Sequence, residues 1–177
     1  NGAPIARMNN ANAFRGYDLH ISGGAVEPHF VHRWPDDAIK VRTKNRLKPD
    51  EWQHVFVTYD GSGNAAGVKV YVDGKPWEWT IEQDGLVGTI KSKGPFYLGR
   101  RNGGSNFKGL IDDVRVYART LAESEVAATS GNDVITPLLA KAVTARTKAE
   151  HATLRTHYLN AVDEPYKELS QRQAKLS

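Results

Sequence analysis

Between Ala13 and Tyr117 the apolar residues recur at every second position, in short runs that Gly, Asn, Asp and Pro clusters keep cutting. No helical period survives such interruption, so the pattern demands strands. It predicts them over Ile5–Met8, Phe14–Ser22, Val26–Arg33, Ala38–Thr43, Trp52–Tyr59, Val68–Val72, Trp77–Glu82, Phe96–Gly99 and Gly109–Tyr117. The stretches Asp60-Gly-Ser-Gly-Asn64, Asp73-Gly-Lys-Pro76, Lys93-Gly-Pro95 and Arg101-Asn-Gly-Gly-Ser-Asn106 supply glycine or side chains that tolerate positive φ, and they read as turns. Many short strands joined by such turns make an antiparallel sandwich or barrel.

The texture changes after Tyr117. Thr120-Leu-Ala-Glu123 reads as a capping box that opens a short helix through about Ala128, stopped by Gly131-Asn132. Thr136-Pro137 starts an alanine-rich helical run to about Val162, with Leu138, Ala142, Ala145, Ala149, Ala152, Thr156 and Leu159 along one face. Glu164-Pro165 restarts a last helix through about Lys175. A seam built mostly of alanine favours an amphipathic linker packed on a neighbouring domain over a coiled coil. The expected organisation is a β module over residues 1–130 and a helical linker or tail over 131–177.

Composition narrows the function. With 177 residues, 40% hydrophobic and 25% charged, the chain has room for one ordinary globular core and an appendage. The net charge of +4 is mild and lies evenly on both sides of Ser130, which argues against a nucleic-acid partner. No apolar stretch approaches the roughly 20 residues a membrane-spanning helix needs. Cysteine is absent, and with it disulfides, thiol catalysis and thiolate zinc sites. No signal-peptide pattern precedes Pro4.

Five motifs stand in a telling order: Trp52-Gln-His-Val-Phe-Val-Thr-Tyr-Asp60, Val70-Tyr-Val-Asp-Gly74, Tyr97-Leu-Gly99, Lys108-Gly-Leu-Ile-Asp-Asp-Val-Arg-Val-Tyr117 and Leu121-Ala-Glu-Ser-Glu125. In that order and spacing the chain resembles the laminin G-like, concanavalin A-like jelly-roll modules of bacteria, over roughly Ile5 to Ala128. Arg15-Gly-Tyr-Asp-Leu through His32-Arg-Trp-Pro35, with Ala38-Ile-Lys-Val-Arg42, resembles the version embedded in large planctomycete proteins that also carry cytochrome-type domains. The resemblance implies an all-β antiparallel jelly-roll sandwich, export to the periplasm or cell surface, and neighbouring domains in the same polypeptide. It also implies a core place for Trp52. In the family the first strands precede the equivalent of Ile5, and one of them pairs with the strand resembling Gly109–Tyr117. The module is therefore expected to be truncated at its start, leaving that apolar strand without its neighbour and prone to association.

The candidate chemistry is sparse. Glycoside hydrolases of this fold place carboxylates as Glu-x-Asp-x-Glu on one strand face, and Glu82-Gln-Asp84 lacks the last of them. An enzyme is therefore not expected. His29 and His32, three apart on a strand, face opposite sides and make no metal clip. Asp60-Gly-Ser-Gly-Asn64 spaces oxygens as a calcium loop does but lacks the closing acid, so a hairpin loop is the better reading. By resemblance, Asp112 would hold a structural calcium, in a cage left incomplete without the first strand. For ligands, Trp34 and Trp77 offer rings on which sugar C–H faces stack, while Trp79 reads as core. Lys40, Arg42 and Lys44 line one face of their strand, and Arg100, Arg101 and Asn102 extend it. Such a basic face suits either solvent or a groove for anionic polysaccharide. The expectation is a non-catalytic module for carbohydrate recognition, the alternative an architectural domain that positions its neighbours.

Overall fold

The computed structural model describes residues 1–131 and 135–174. Strands β1 (Gly2–Asn9), β2 (Arg15–Ser22), β3 (Ala25–Arg33), β4 (Asp37–Thr43), β5 (Val55–Tyr59), β6 (Val68–Val72), β7 (Lys75–Trp77), β8 (Trp79–Asp84) and β9 (Tyr97–Leu98) are followed by helices α1 (Glu123–Thr129), α2 (Ile135–Ala140), α3 (Lys148–His157) and α4 (Glu164–Ala174). They form two antiparallel sheets of a β-sandwich, one ordered β8-β4-β3-β2-β1-β9 and one ordered β5-β6-β7. By backbone packing the chain divides into two compact units. Asn1–Gln53, Val57–Val70 and Pro76–Val116 make one; His54–Phe56, Tyr71–Lys75 and the described residues from Tyr117 onward make the other.

In the first unit the six-stranded sheet is tied together by register. The Gly23-Gly24 turn, with φ of 56° and 81°, closes a two-residue hairpin in which Ser22 faces Ala25, so Ile21 falls opposite Val26 and Leu19 opposite Pro28. Ile21, Val26, Pro28, Ile39 and Val41 form the buried face of β2, β3 and β4, and Val68 and Val70 of β6 are buried as well. Phe30 of β3 packs on Tyr59 of β5 with ring centroids 4.4 Å apart. Each fully buried aliphatic side chain contributes about 1.5–3 kcal/mol over its exposed state. Pro28, which has no N–H, ends the β3–β4 ladder at His29; beyond it the N–H of Val26 donates to the hydroxyl of Thr43 at 2.9 Å.

In the second unit Tyr71, Leu121 and Val126 form a small core, with Phe56 against it. Helix α1 starts at Glu123, later than the capping-box reading placed it. Ala122 takes the cap position, and Glu125, not Glu123, folds back to accept the Ala122 N–H at 2.8 Å. The expected continuous helix from Thr136 to Val162 is broken. After α2 the hydroxyl of Thr147 accepts the Glu150 N–H and the Glu150 carboxylate accepts the Thr147 N–H, a second capping box that starts α3 afresh. Asp163 accepts the Tyr166 N–H and starts α4. Asn132 and Lys175, the expected stops of the first and last helices, lie outside the described residues.

Three strand expectations need correcting. Trp77–Glu82 is two strands, β7 in the three-stranded sheet and β8 at the edge of the six-stranded one, because the chain changes sheets at Glu78, whose carbonyl accepts the Lys44 N–H. Trp77 and Trp79 therefore share no strand face. Trp52 is 68% exposed and not in the core, since β5 begins only at Val55 and the preceding turn is held locally by the Gln53 side chain on the Lys48 N–H. Gly109–Tyr117 joins no ladder, and Leu110 and Val116 are 79% and 63% exposed. Apolar alternation needs a neighbour's N–H and C=O groups to become a strand, and no described strand presents them there.

Gly16 tests the packing of β1 on β2. Its φ is 135°, and a Cβ there would lie 1.9 Å from the Arg7 carbonyl oxygen. Gly16→Ala is expected to destabilise the fold by about 2 kcal/mol or more in denaturant melts; a loss below about 0.5 kcal/mol would show that β1 yields freely.

Candidate functional site

The hairpin register that buries Ile21 and Val26 on one face turns the alternate residues of β2, β3 and β4 to the other face of the sheet, where most are buried as well. Asp18 stands opposite His29, His29 opposite Lys40, and His20 opposite Glu27. The same face carries Met8, Val31 and Ala38, a buried apolar cluster on which Phe14 and Trp34 pack. Between the aromatic end and the ionisable row lies a cleft of about 230 Å³. It is lined by Met8, Phe14 and Trp34 on one side and by His20, Glu27, His29, Lys40 and Arg101 on the other. That volume is below the roughly 300 Å³ at which drug-sized ligand sites begin.

The row of ionisable groups is tightly paired. Asp18, its side chain fully buried, holds His29 Nδ1 at 2.8 Å through Oδ1 and the Arg101 guanidinium through Oδ2. Burial alone would raise the Asp18 carboxyl, but the hydrogen bonds and charges of His29 and Arg101 outweigh it and hold the group below its ordinary value. Glu27, 4% exposed, forms ion pairs with Lys40 Nζ at 3.1 Å and with the Arg42 guanidinium. Lys40 also reaches Glu82 at 2.6 Å. His20 lies 3.6 Å from Glu27, beyond hydrogen-bond reach, and its buried Nδ1 has no hydrogen-bond partner among the described residues. Burial first, then the positive charge of Arg101, push its imidazole down to about 4, so at neutral pH it is uncharged. Trp34 stands edge-on to His29, ring centroids 5.7 Å apart.

The structure brings together some of the residues singled out in the sequence and separates others. Trp34, Lys40 and Arg101 meet at the cleft, and Arg42 joins through Glu27. Arg101 reaches in from a tight turn closed by its N–H on the Gly104 carbonyl, with Asn102 on the same turn. Lys44 is exposed and paired with Glu78 at 2.9 Å, Arg100 lies over the Tyr97 ring, and Trp77 sits on β7 and is not among the cleft-lining residues. Glu82 and Asp84 do not act as a pair. A bulge between Lys40 and Val41 leaves Glu82 as the extra residue on Lys40, while Asp84 accepts the Ala65 N–H. His32, on the opposite face from His29, contacts Arg15 and the Thr89 carbonyl. Asp60 accepts the Ser62 N–H within its own hairpin loop.

Asp112 is exposed, and its Oδ1 accepts the Asp113 N–H. Among the described residues no three His, Asp or Glu side chains converge as metal ligands.

Asp18, His20, Glu27 and His29 as a member of this row went unread in the sequence. The signal was there: Asp18-Leu-His20 and Glu27-Pro-His29 alternate polar residues on strands joined by Gly23-Gly24, and a two-residue turn fixes which residues face one another.

A family model described as the concanavalin A-like lectin/glucanases superfamily matches residues 2–127. No curated protein matches the chain. Among solved structures, an S-layer domain-containing protein (residues 221–444) from Clostridium thermocellum is 20% identical, with a TM-score of 0.37; the likeness covers 73% of this chain and 63% of that one, less than two thirds of its length. No helix among the described residues is long and apolar enough to cross a membrane.

Two outcomes follow from the electrostatics and the donor set. His20 titrates near 6.5 when unfolded and at about 4 when folded, so between those values the unfolded chain binds more protons and stability falls as pH drops from 6.5 toward 4. The depressed Asp18 adds its own loss only below its ordinary carboxylate value. Melting temperature should therefore fall between about pH 7 and about pH 4.5, and His20→Gln should flatten that fall; an unchanged slope would assign it to another group. Millimolar calcium should leave the melting temperature where it is, and a rise of several degrees would reveal a cage that the donors around Asp112 do not make.

Proposed function

The chain belongs to the concanavalin A-like lectin/glucanases superfamily, and from that premise we propose that it is a non-catalytic binding module whose ligand is a carbohydrate held in the cleft of the six-stranded sheet. The observation that carries this reading is the division of the cleft into an aromatic end, Phe14 and Trp34, and a polar end, His20, Glu27, His29, Lys40 and Arg101. A sugar ring has the same two aspects: C–H faces that stack on aromatic rings and a rim of hydroxyls that needs oriented donors and acceptors. The buried Asp18 does not suit acid catalysis of glycoside cleavage, which needs a carboxyl of raised pKa, because His29 and Arg101 hold it low. Glu27 is engaged by Lys40 and Arg42.

The rest of the proposal concerns setting. Residues 1–130 form the recognition module, residues 131–177 link it to neighbouring domains of the same polypeptide, and the whole is exported to the periplasm or cell surface, as the family resemblance implies. One observation favours the architectural alternative. The exposed Leu110, Val114 and Val116 make an apolar strip suited to protein contact.

A glycan array separates the readings, since the carbohydrate reading expects selective retention and the architectural one none. On a retained glycan, Trp34→Ala should weaken binding about tenfold in calorimetric titration, with Trp34→Phe between the two. Because Trp34 also packs on Met8, Val31 and Ala38, each variant is compared at a temperature where its melt shows it folded. Undiminished binding by Trp34→Ala would remove the cleft from the proposal.

A further inference from the structure

We infer that the cleft selects uncharged saccharides over sulfated or uronic ones, because each permanent cation on its polar side is already held by a carboxylate of this chain. The inference rests on the reading that the cleft binds a saccharide, and it concerns which kind. Lys40 is shared by Glu27 and Glu82, Arg42 is held by Glu27, and Arg101 by Asp18. Three carboxylates therefore face three cations on one small surface.

An anionic ligand entering the cleft would meet Glu27 beside Lys40 on its lining, and would find Arg101 already neutralised by Asp18 buried behind it. To pair with Lys40 or Arg101 it would have to displace a carboxylate that is buried and preoriented, leaving that carboxylate uncompensated. A ligand hydroxyl meets no such obstacle. It donates to a lone pair of Glu27 or accepts from the Lys40 ammonium without breaking the pair, because each of these groups has more hydrogen-bonding sites than its two partners use. His20, uncharged at neutral pH, lines the cleft as a further neutral group. The basic residues that do stand in solvent lie elsewhere. Lys44 is paired with Glu78 and Arg100 is drawn over Tyr97, so neither prolongs the cleft as an anion track.

An array carrying neutral and acidic glycans tests the inference, followed by titration of the best ligand at about 50 mM and about 500 mM salt, across which exposed charge contacts are screened. Neutral glycans should be retained, with a Kd constant within about twofold across that range. Preference for acidic glycans, with a Kd rising about tenfold with salt, would overturn the inference while leaving the carbohydrate reading in place. Retention of neither class would overturn the carbohydrate reading itself. A second arm uses Glu82→Gln, which relieves Lys40 of one carboxylate at the partly exposed edge strand β8 and so spares the buried core. The variant should bind dextran sulfate at least about threefold more tightly than the parent, with salt abolishing the gain. Equal binding by parent and variant would show that pairing does not mask Lys40, and the selectivity would lose its cause.

Discussion

One two-residue turn sets most of what matters in this protein. Gly23 and Gly24 both adopt positive φ, which other residues resist, and their hairpin has a twist that suits the flanking strands. With Ser22 fixed opposite Ala25, every later pair along β2 and β3 follows. A slip of one residue would exchange Ile21, Leu19 and Val26 with Asp18, His20 and Glu27 between the two faces, parting the buried carboxylates from their partners. The register is thus held by two sets of residues at once. The apolar ones gain by burial, and the ionisable ones are tolerable only where partners from β4 and the Arg101 turn can reach them.

Those partners explain how carboxylates as buried as Asp18 and Glu27 persist. Desolvating a carboxylate costs several kcal/mol, and a single pairing seldom recovers it. Here Asp18 has both His29 and Arg101, and Glu27 has both Lys40 and Arg42. Even so, an apolar face of equal volume would serve stability as well. The proposed function gives this costly ionic row, beside an aromatic pair, a role in recognition. On that proposal its internal neutrality sets the chemical preference.

The helical region follows a different logic. Its breaks come from side chains that compete with the helix for backbone groups: Thr147 with Glu150, and Asp163 ahead of Tyr166. Both were open to reading in Thr147-Lys-Ala-Glu150 and Asp163-Glu-Pro165. Alanine content and face periodicity suggested one long helix, yet a well-formed cap outweighs the small per-residue propensity of alanine over several positions. The segment Gly109–Tyr117 makes the complementary point. It carries apolar residues on both faces and yet remains without a ladder, because an apolar pattern describes side chains while a strand also needs a neighbouring backbone.

The amino-acid sequence by itself determined the antiparallel sandwich, the positions of β1 to β4 and β6 to within a few residues, and the helical C-terminal region, since period, turn chemistry and caps are local properties. It also contained the Asp18–His29 and His20–Glu27 pairings, because a two-residue turn converts sequence distance into register. Only the tertiary structure decided the rest. The bulge that separates Glu82 from Asp84, the change of sheet at Glu78 that parts Trp77 from Trp79, and the reach of Arg101 from its distant turn to Asp18 all depend on which strands lie side by side. So does the fate of Lys40 and Arg42. Their spacing announced a basic face, and only the adjacent strands, bringing Glu27 and Glu82 within reach, turned it into a neutral one. Charge on a strand is written in the sequence, but the field it produces belongs to its neighbours in space, because Coulomb interactions follow distance and burial and not order along the chain.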